Sequence, residues 1–470
     1  MTADERLLGS ASAIAAVVTA GRVSATAMTE AALARIARLD PGLGAFTDVT
    51  AARARATAAA IDADRDAGRP LGALAGVPFA VKNLFDVEGL PTRAGSKINR
   101  ERAPASRDAT LVARLEAAGA VLVGALNMGE WAYDFTGENA HDGPSRNPHD
   151  PTRMAGGSSG GCGTALAAGM VPLALGSDTN GSIRVPSSFC GVFGLKPTYG
   201  RLSRAGTFPF VSSLDHLGPF ARSVADLALA FDAMQGDDRA DPHLARRRPL
   251  ATSTTLGGGL TGLRFGVLGD HFARNGHREA FAAVAKVAEA LGRPPTVFLP
   301  EAARARAAAY VITAAEGAAL HLERLRTRAG DFDPDTRDRF LAGATVPAAW
   351  VIRAQTFRRW FAEAAERLFD TVDVVIAPST PCVAPVSGTK RLVLDGVDLP
   401  LRPNIGVYTQ PISFVGLPVV AVPVWLPGAG LPIGVQIIAR PWAEDVALRV
   451  AAALEAMGTV AAPVAAEEGT

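Results

Sequence analysis

The chain has 470 residues, 48% of them hydrophobic and 20% charged, which excludes disorder as its theme and allows a large core without covalent staples. The 47 Lys and Arg nearly cancel the 46 Asp and Glu, leaving a formal charge of +1, so neither nucleic-acid nor membrane-surface binding is expected. Cys162, Cys190 and Cys382 are far apart and odd in number, which argues against a disulfide framework and for a reducing cytoplasm. The N-terminus lacks the basic start and apolar run of a signal peptide, and the longest apolar stretches are short and broken by proline.

In chain order, residues 10–68 read as helices, with Ser24 as N-cap of the stretch to Leu39. Apolar runs at 45–49, 77–81, 121–124, 172–177, 263–268, 372–377, 419–424 and 433–438 read as strands. Helical periodicity marks 223–235, 277–291, 301–328 and 348–368. The alternation predicts an α/β fold around a mixed sheet. Residues 137–218 are dense in Gly, Ser, Pro, Asn and Asp and read as loops, where function concentrates. Residues 236–248 and 387–403 read as surface loops, with a helical cap between them, and 461–470 as a frayed tail. No internal repeat is present. A single domain is expected, in four stretches: N-terminal helices 1–70, a motif-bearing core 71–235, a cap-like region 236–370 and C-terminal core strands and helix 371–460.

Three elements carry candidate chemistry. The first, Gly156-Gly157-Ser158-Ser159-Gly160-Gly161-Cys162-Gly163, has five glycines in eight positions, which allow positive φ, close approach and exposed N–H groups, and no Lys follows it in the manner of a phosphate loop. It also fits G-x-S-x-G, with Ser158 as nucleophile and Asp215, His216 or His321 as downstream partners. The second runs from a candidate strand into Ser177-Asp178-Thr179-Asn180-Gly181-Ser182-Ile183-Arg184. Such a turn either aims several N–H groups at one spot beside a serine or is an ordinary strand-to-helix connection. The third is Lys82, at the end of an apolar run. It is one of five lysines (Lys82, Lys97, Lys196, Lys286, Lys390) in a chain that otherwise uses arginine. Such a lysine usually snorkels to water; buried, it would lose proton affinity and act as a base. The histidines form no H-E-x-x-H or other ligand pattern, and His141 and His149 read as surface or capping residues.

Taken together, Val77-Pro78-Phe79-Ala80-Val81-Lys82-Asn83, the 156–161 cluster, the 176–186 turn and Cys190-Gly191-Val192-Phe193-Gly194-Leu195-Lys196 resemble the amidase signature family, in the same order and spacing. The resemblance covers most of the chain and is weakest over 237–370. It implies a central mixed β-sheet covered by helices on both faces, and hydrolysis of linear amides without metal or cofactor. It implies Ser182 as nucleophile, Ser158 as the bridging serine after a cis peptide, and Lys82 as base. The N–H groups of Thr179, Asn180, Gly181 and Ser182 would form the oxyanion hole, Met128 would line the substrate pocket, and Asp178 and Arg184 would hold the turn. Asn180 stands where many members have glycine. That departure, with Ser96-Lys97-Ile98-Asn99-Arg100 and Glu138-Asn139-Ala140-His141, is most similar to the 1-carboxybiuret hydrolase branch.

The resemblance further implies a small polar ureide as substrate and a homodimer that could recruit a small helical companion protein. Alternatives within the family are the glutaminase component of a tRNA-dependent amidotransferase and a general small-amide amidase. A silent binding module is disfavoured by the intact Lys82, Ser158 and Ser182.

Overall fold

In the computed structural model, which describes residues 1–467, eleven strands form one mixed sheet. They are β1 (Phe46–Val49), β2 (Pro78–Lys82), β3 (Val121–Leu126), β4 (Leu173–Asp178), β5 (Phe193–Lys196), β6 (His216–Ala221), β7 (Phe265–Leu268), β8 (Thr296–Val297), β9 (Val374–Pro378), β10 (Val419–Val424) and β11 (Ile433–Ala439). Their spatial order is β1-β3-β2-β4-β6-β5-β10-β11-β9-β7-β8. β3, β2 and β4 run parallel, as do β9, β7 and β8. Antiparallel pairs join these two sets and add β1 at one edge.

Every residue of β2, β3, β4, β6, β9, β10 and β11 is buried. Successive residues on a strand face opposite ways, so both faces of the sheet are covered. The covering helices include Ala25–Leu43 against β2 and β3, Val224–Met234 against β6, Arg278–Ala290 against β9 and β11, and Glu444–Ala456 against β10 and β11. The expected cap at Ser24 is present: its side chain accepts from the Ala27 N–H at 3.0 Å.

Four expectations need correction. The glycine-dense middle is not a run of loops. It contains β5, β6 and the helices Gly160–Ala167 and Arg184–Cys190, and every residue from Met154 to Thr198 is buried. The stretch 387–403 holds a hairpin, Arg391–Leu394 paired with Val397–Pro400. Its turn is Asp395-Gly396, both at positive φ (48° and 78°), the pair that a two-residue hairpin turn favours. The first half of the cap-like region joins the sheet through β7, β8 and Arg278–Ala290. Only its second half forms a helical layer, from Ala302–Arg328, Pro334–Gly343 and Ala348–Leu368. The tail is docked over 461–467: the Ala465 N–H donates to the Ala167 carbonyl at 2.8 Å, and Glu467 pairs with Arg35 at 2.8 Å. Residues 468–470 of the expected frayed tail lie outside the described residues.

Candidate active site

Lys82 is the last residue of β2, and the turn that carries Ser182 follows β4, its parallel neighbour. Ser158 precedes the helix Gly160–Ala167. The site therefore lies at the carboxyl ends of parallel strands, where side chains and helix N-termini converge.

Lys82 is fully buried. Its Nζ donates to Ser158 Oγ at 2.7 Å and to Ser177 Oγ at 2.9 Å. Burial pushes its ammonium down to about 7, against the opposing pull of Cys162, Asp178, Asp215 and Asp134. A lysine so placed is in large part a neutral amine near neutral pH. The neighbouring Ser159 turns away and donates to the Ser177 carbonyl at 3.2 Å. The Gly157–Ser158 peptide is cis. Gly157 has no substitute here, because a Cβ would come within 2.4 Å of Asp134 Oδ2 and 2.8 Å of the Gly137 nitrogen.

The 179–182 turn is held from behind. Asp178 accepts from the Ile183 N–H at 3.1 Å and from Arg184 Nε and Nη2 at 3.0 and 2.9 Å. Burial opposes the Asp178 charge, but the Arg184 guanidinium outweighs it and holds the carboxyl well below the usual range. Arg184 continues to the Thr409 carbonyl and to Gln436 Oε1. Gly181 sits at φ 144°, and a Cβ there would meet Thr409 Oγ1 at 2.3 Å. Among the described residues, the N–H groups of Thr179, Asn180, Gly181 and Ser182 donate to no protein acceptor, whereas the next one, Ile183, does. Four free donors in succession beside a serine can stabilise a developing oxyanion.

Ser182, 2% exposed, opens onto a cavity whose free interior is about 10 Å³, room for a single water. One wall is the loop Ala132–Phe135, another Thr179 and Asn180, and a third comes from Tyr310, Thr313 and Arg339 of the helical layer, with Gln410. Asn180 Nδ2 donates to Thr313 Oγ1 at 2.9 Å, while its buried Oδ1 has no partner among the described residues. Arg339 donates to the Tyr133 carbonyl at 2.6 Å and lies 3.4 Å from the centre of the Tyr133 ring. Among the described residues no carboxylate pairs with it. A larger cavity, about 340 Å³, shares Ala132, Thr179 and Phe210 with this one and reaches Ser177.

The structure thus joins Lys82 to Ser158 and Ser177 by hydrogen bonds and sets Thr179, Asn180 and Ser182 on one cavity, with Gly181 between them in the turn. Met128 is buried and lies off the cavity wall. Its carbonyl accepts from Asn139 Nδ2, and residues 132–135 of the same stretch form the wall instead. The nucleophile-elbow alternative finds no histidine on Ser158. His216 Nδ1 bonds the Asp178 and Leu214 carbonyls, and His321 packs at a tilt against Trp131 and Phe340 in an aromatic cluster, its burial pushing it down to about 3. His149 bonds the Cys190 carbonyl and His141 bonds Glu130. Among the described residues no cluster of His, Cys, Asp or Glu could hold a metal, and no helix is long and apolar enough to cross a membrane. Sequence reasoning missed Tyr310, Thr313, Arg339 and Gln410. They come from stretches more than a hundred residues beyond the motifs, and no spacing singles them out.

The family model described as Amidase matches residues 27–448. The 1-carboxybiuret hydrolase subunit AtzE of Pseudomonas sp. (strain ADP) is 56% identical over 443 residues, covering 94% of this chain and 97% of that protein. A glutamyl-tRNA(Gln) amidotransferase subunit of Chloroflexus aurantiacus (strain ATCC 29366 / DSM 635 / J-10-fl) is 39% identical, covering 93% of each. A solved structure described as a vestigial protein complex that reveals the origins of an s-triazine catabolic enzyme superposes with a TM-score of 0.95 at 54% identity, covering 96% of this chain and 99% of that one. With these likenesses spanning nearly its whole length, the chain belongs to the amidase signature family of amide-hydrolysing enzymes.

Proposed function

We propose that the protein hydrolyses an amide C–N bond of a small carboxylate-bearing ureide, 1-carboxybiuret, and releases ammonia through an acyl-enzyme on Ser182. The observation that carries this reading is a single cavity that holds both Ser182 and an arginine, Arg339, with no acidic partner among the described residues. A carboxylate on the substrate completes that guanidinium, which presents paired donors in a fixed fork. Oδ1 of Asn180, anchored through its other amide atom, accepts an N–H of the ureide. The likeness to a 1-carboxybiuret hydrolase subunit over 94% of the chain supports the same substrate.

In the reaction Ser182 Oγ attacks the carbonyl carbon. Its proton passes to Ser158 Oγ as the Ser158 proton passes to Lys82 Nζ. The oxyanion that forms meets the free N–H groups of the 179–182 turn. As the C–N bond breaks, Lys82 returns the proton through Ser158 to the leaving nitrogen, and ammonia departs. Water then attacks the acyl carbon, loses its proton along the same relay, and Ser182 is released. The narrow cavity admits a substrate only as its walls give, and the walls contributed by Ala302–Arg328 and Pro334–Gly343 are the ones that belong to a separate layer.

A homodimer with a small companion protein is part of this proposal, supported by the likeness to a chain solved as a protein complex. The three cysteines are buried and unpaired, which suits a reducing cytoplasm. The test is ammonia release from 1-carboxybiuret, biuret, glutamine and aryl amides. Preference for 1-carboxybiuret is expected. Turnover of glutamine above all others would replace this reading with the amidotransferase one.

A further inference from the structure

Arg339 stands on the ten-residue helix Pro334–Gly343, and the structure shows what fixes that helix in place. The carboxylate of Glu130, wholly buried, accepts four hydrogen bonds. Oε2 takes the Asp333 N–H at 2.8 Å and the Thr336 hydroxyl at 2.6 Å, at the start of the helix. Oε1 takes Ser96 Oγ at 3.0 Å and His141 Nε2 at 2.9 Å. Ser96 and His141 belong to the stretches 96–100 and 138–141 singled out in the sequence, which the chemistry proposed for Lys82, Ser158 and Ser182 leaves unused.

Their neighbours tie the same knot. Asn139 accepts the His141 N–H at 2.7 Å and donates to the Gly95 and Met128 carbonyls, both at 2.7 Å. The Ala140 N–H donates to Asp333, the N-cap residue of the helix, at 3.0 Å. Thr336 and Arg339 are three residues apart, so they lie on one face of the helix, and anchoring Thr336 sets the rotation that carries Arg339 onto the cavity. Phe340, packed against Tyr133 and His321, holds the adjoining face.

We infer that Glu130, oriented by Ser96 and His141, is a positioning residue for Arg339 and so sets the preference of this site for carboxylate-bearing over neutral amides. The inference rests on the reading of Arg339 as the substrate-carboxylate partner. A charged fork must be held close to its productive geometry, since a displacement of about 1 Å costs roughly 100-fold. A buried carboxylate with four donors from three segments supplies that rigidity in a way that a neutral amide, which brings its own unpaired donors, does not.

The experiment measures kcat and KM for 1-carboxybiuret and for biuret, its uncharged counterpart, in the parent and in Arg339→Gln, Glu130→Gln, His141→Ala and His141→Gln, with melting temperatures for each. His141→Ala removes a partner near the protein surface and serves if Glu130→Gln fails to fold. Expected are a collapse of the 1-carboxybiuret/biuret ratio of kcat/KM in Arg339→Gln, a tenfold or larger fall in that ratio in Glu130→Gln and His141→Ala carried by KM, and recovery in His141→Gln, whose amide can still donate to Glu130. A ratio within twofold of the parent in Glu130→Gln and His141→Ala, alongside a collapse in Arg339→Gln, overturns the positioning role and leaves the carboxylate partner standing. Equal losses on both substrates reduce Glu130 to a purely structural residue and also overturn it. An unchanged ratio in Arg339→Gln removes the reading on which the inference rests.

Discussion

The stretch from Met154 to Thr198 and the helical layer over Ala302–Leu368 meet at one cavity but are built differently. The first is buried without interruption and supplies Ser158 and Ser182, close to the equally buried Lys82. The second leaves Leu322, Trp350 and Ile352 more than half exposed and supplies Tyr310, Thr313 and Arg339. Proton transfer between a lysine and two serines needs fixed short distances and a dry surrounding, which a close-packed core provides. Recognition of a substrate tolerates a wall that can yield, and the narrow cavity proposed as the site needs one to admit it. On the proposed function the bond-breaking and selecting parts lie in these two different regions, so variants in them should fail in different ways.

The largest effect belongs to the core. Ser182→Ala should lower kcat by roughly 10⁴-fold or more, because the nucleophile is lost outright, while the melting temperature stays close to that of the parent. Near-normal turnover in that variant would break the contrast at its root. Lys82→Arg should be about as damaging as Lys82→Ala, on the order of 10²–10⁴-fold, since arginine stays charged and cannot exchange the proton. Steady-state rates, read beside melting curves, check this.

The pH profile has a definite sign. In the proposed mechanism Lys82 works as the neutral amine, and its ammonium is pushed down to about 7, so kcat/KM should rise about tenfold per pH unit below 7 and level off above it. A profile flat from pH 5 to 8 would remove Lys82 as the base.

Smaller effects, confined to KM and selectivity, are expected from the outer layer. Arg339→Gln should cost about 1.5–3 kcal/mol, roughly 10- to 150-fold, on a carboxylate-bearing substrate. Its kcat on a neutral amide should hold. Thr313→Val should free the Asn180 amide and cost only about 1 kcal/mol, seen as a loss of preference for ureides over simple amides.

Much of the core was legible in the sequence for a physical reason. Turns at Gly156 and Gly181 take positive φ, and at Gly157 and Gly161 a Cβ would collide with neighbouring atoms, so the glycines themselves advertise the site. The same glycines hid the strands. β6 reads His-Leu-Gly-Pro-Phe-Ala, a poor strand by propensity, yet Gly218 is there because a Cβ would meet the Leu195 carbonyl at 2.0 Å. The hairpin over 391–400 carried its own signal, Asp395-Gly396, which a reading of charge and polarity alone passes over. Arg339 gave no local signal. It is one of many arginines in an arginine-rich layer, and only the folded chain carries it, 157 positions past Ser182, onto the same cavity.

The proposed mechanism turns on Ser182 forming the bond to substrate while Lys82 acts on it through Ser158. Rapid quenching of the enzyme with 1-carboxybiuret, followed by peptide mapping by mass spectrometry, tests this most directly. The predicted result is an acyl adduct on Ser182 in the parent, absent in Ser182→Ala, and formed far more slowly in Lys82→Ala. An adduct on Ser158 with Ser182 never modified, or full-rate acylation of Ser182 in Lys82→Ala, would contradict it.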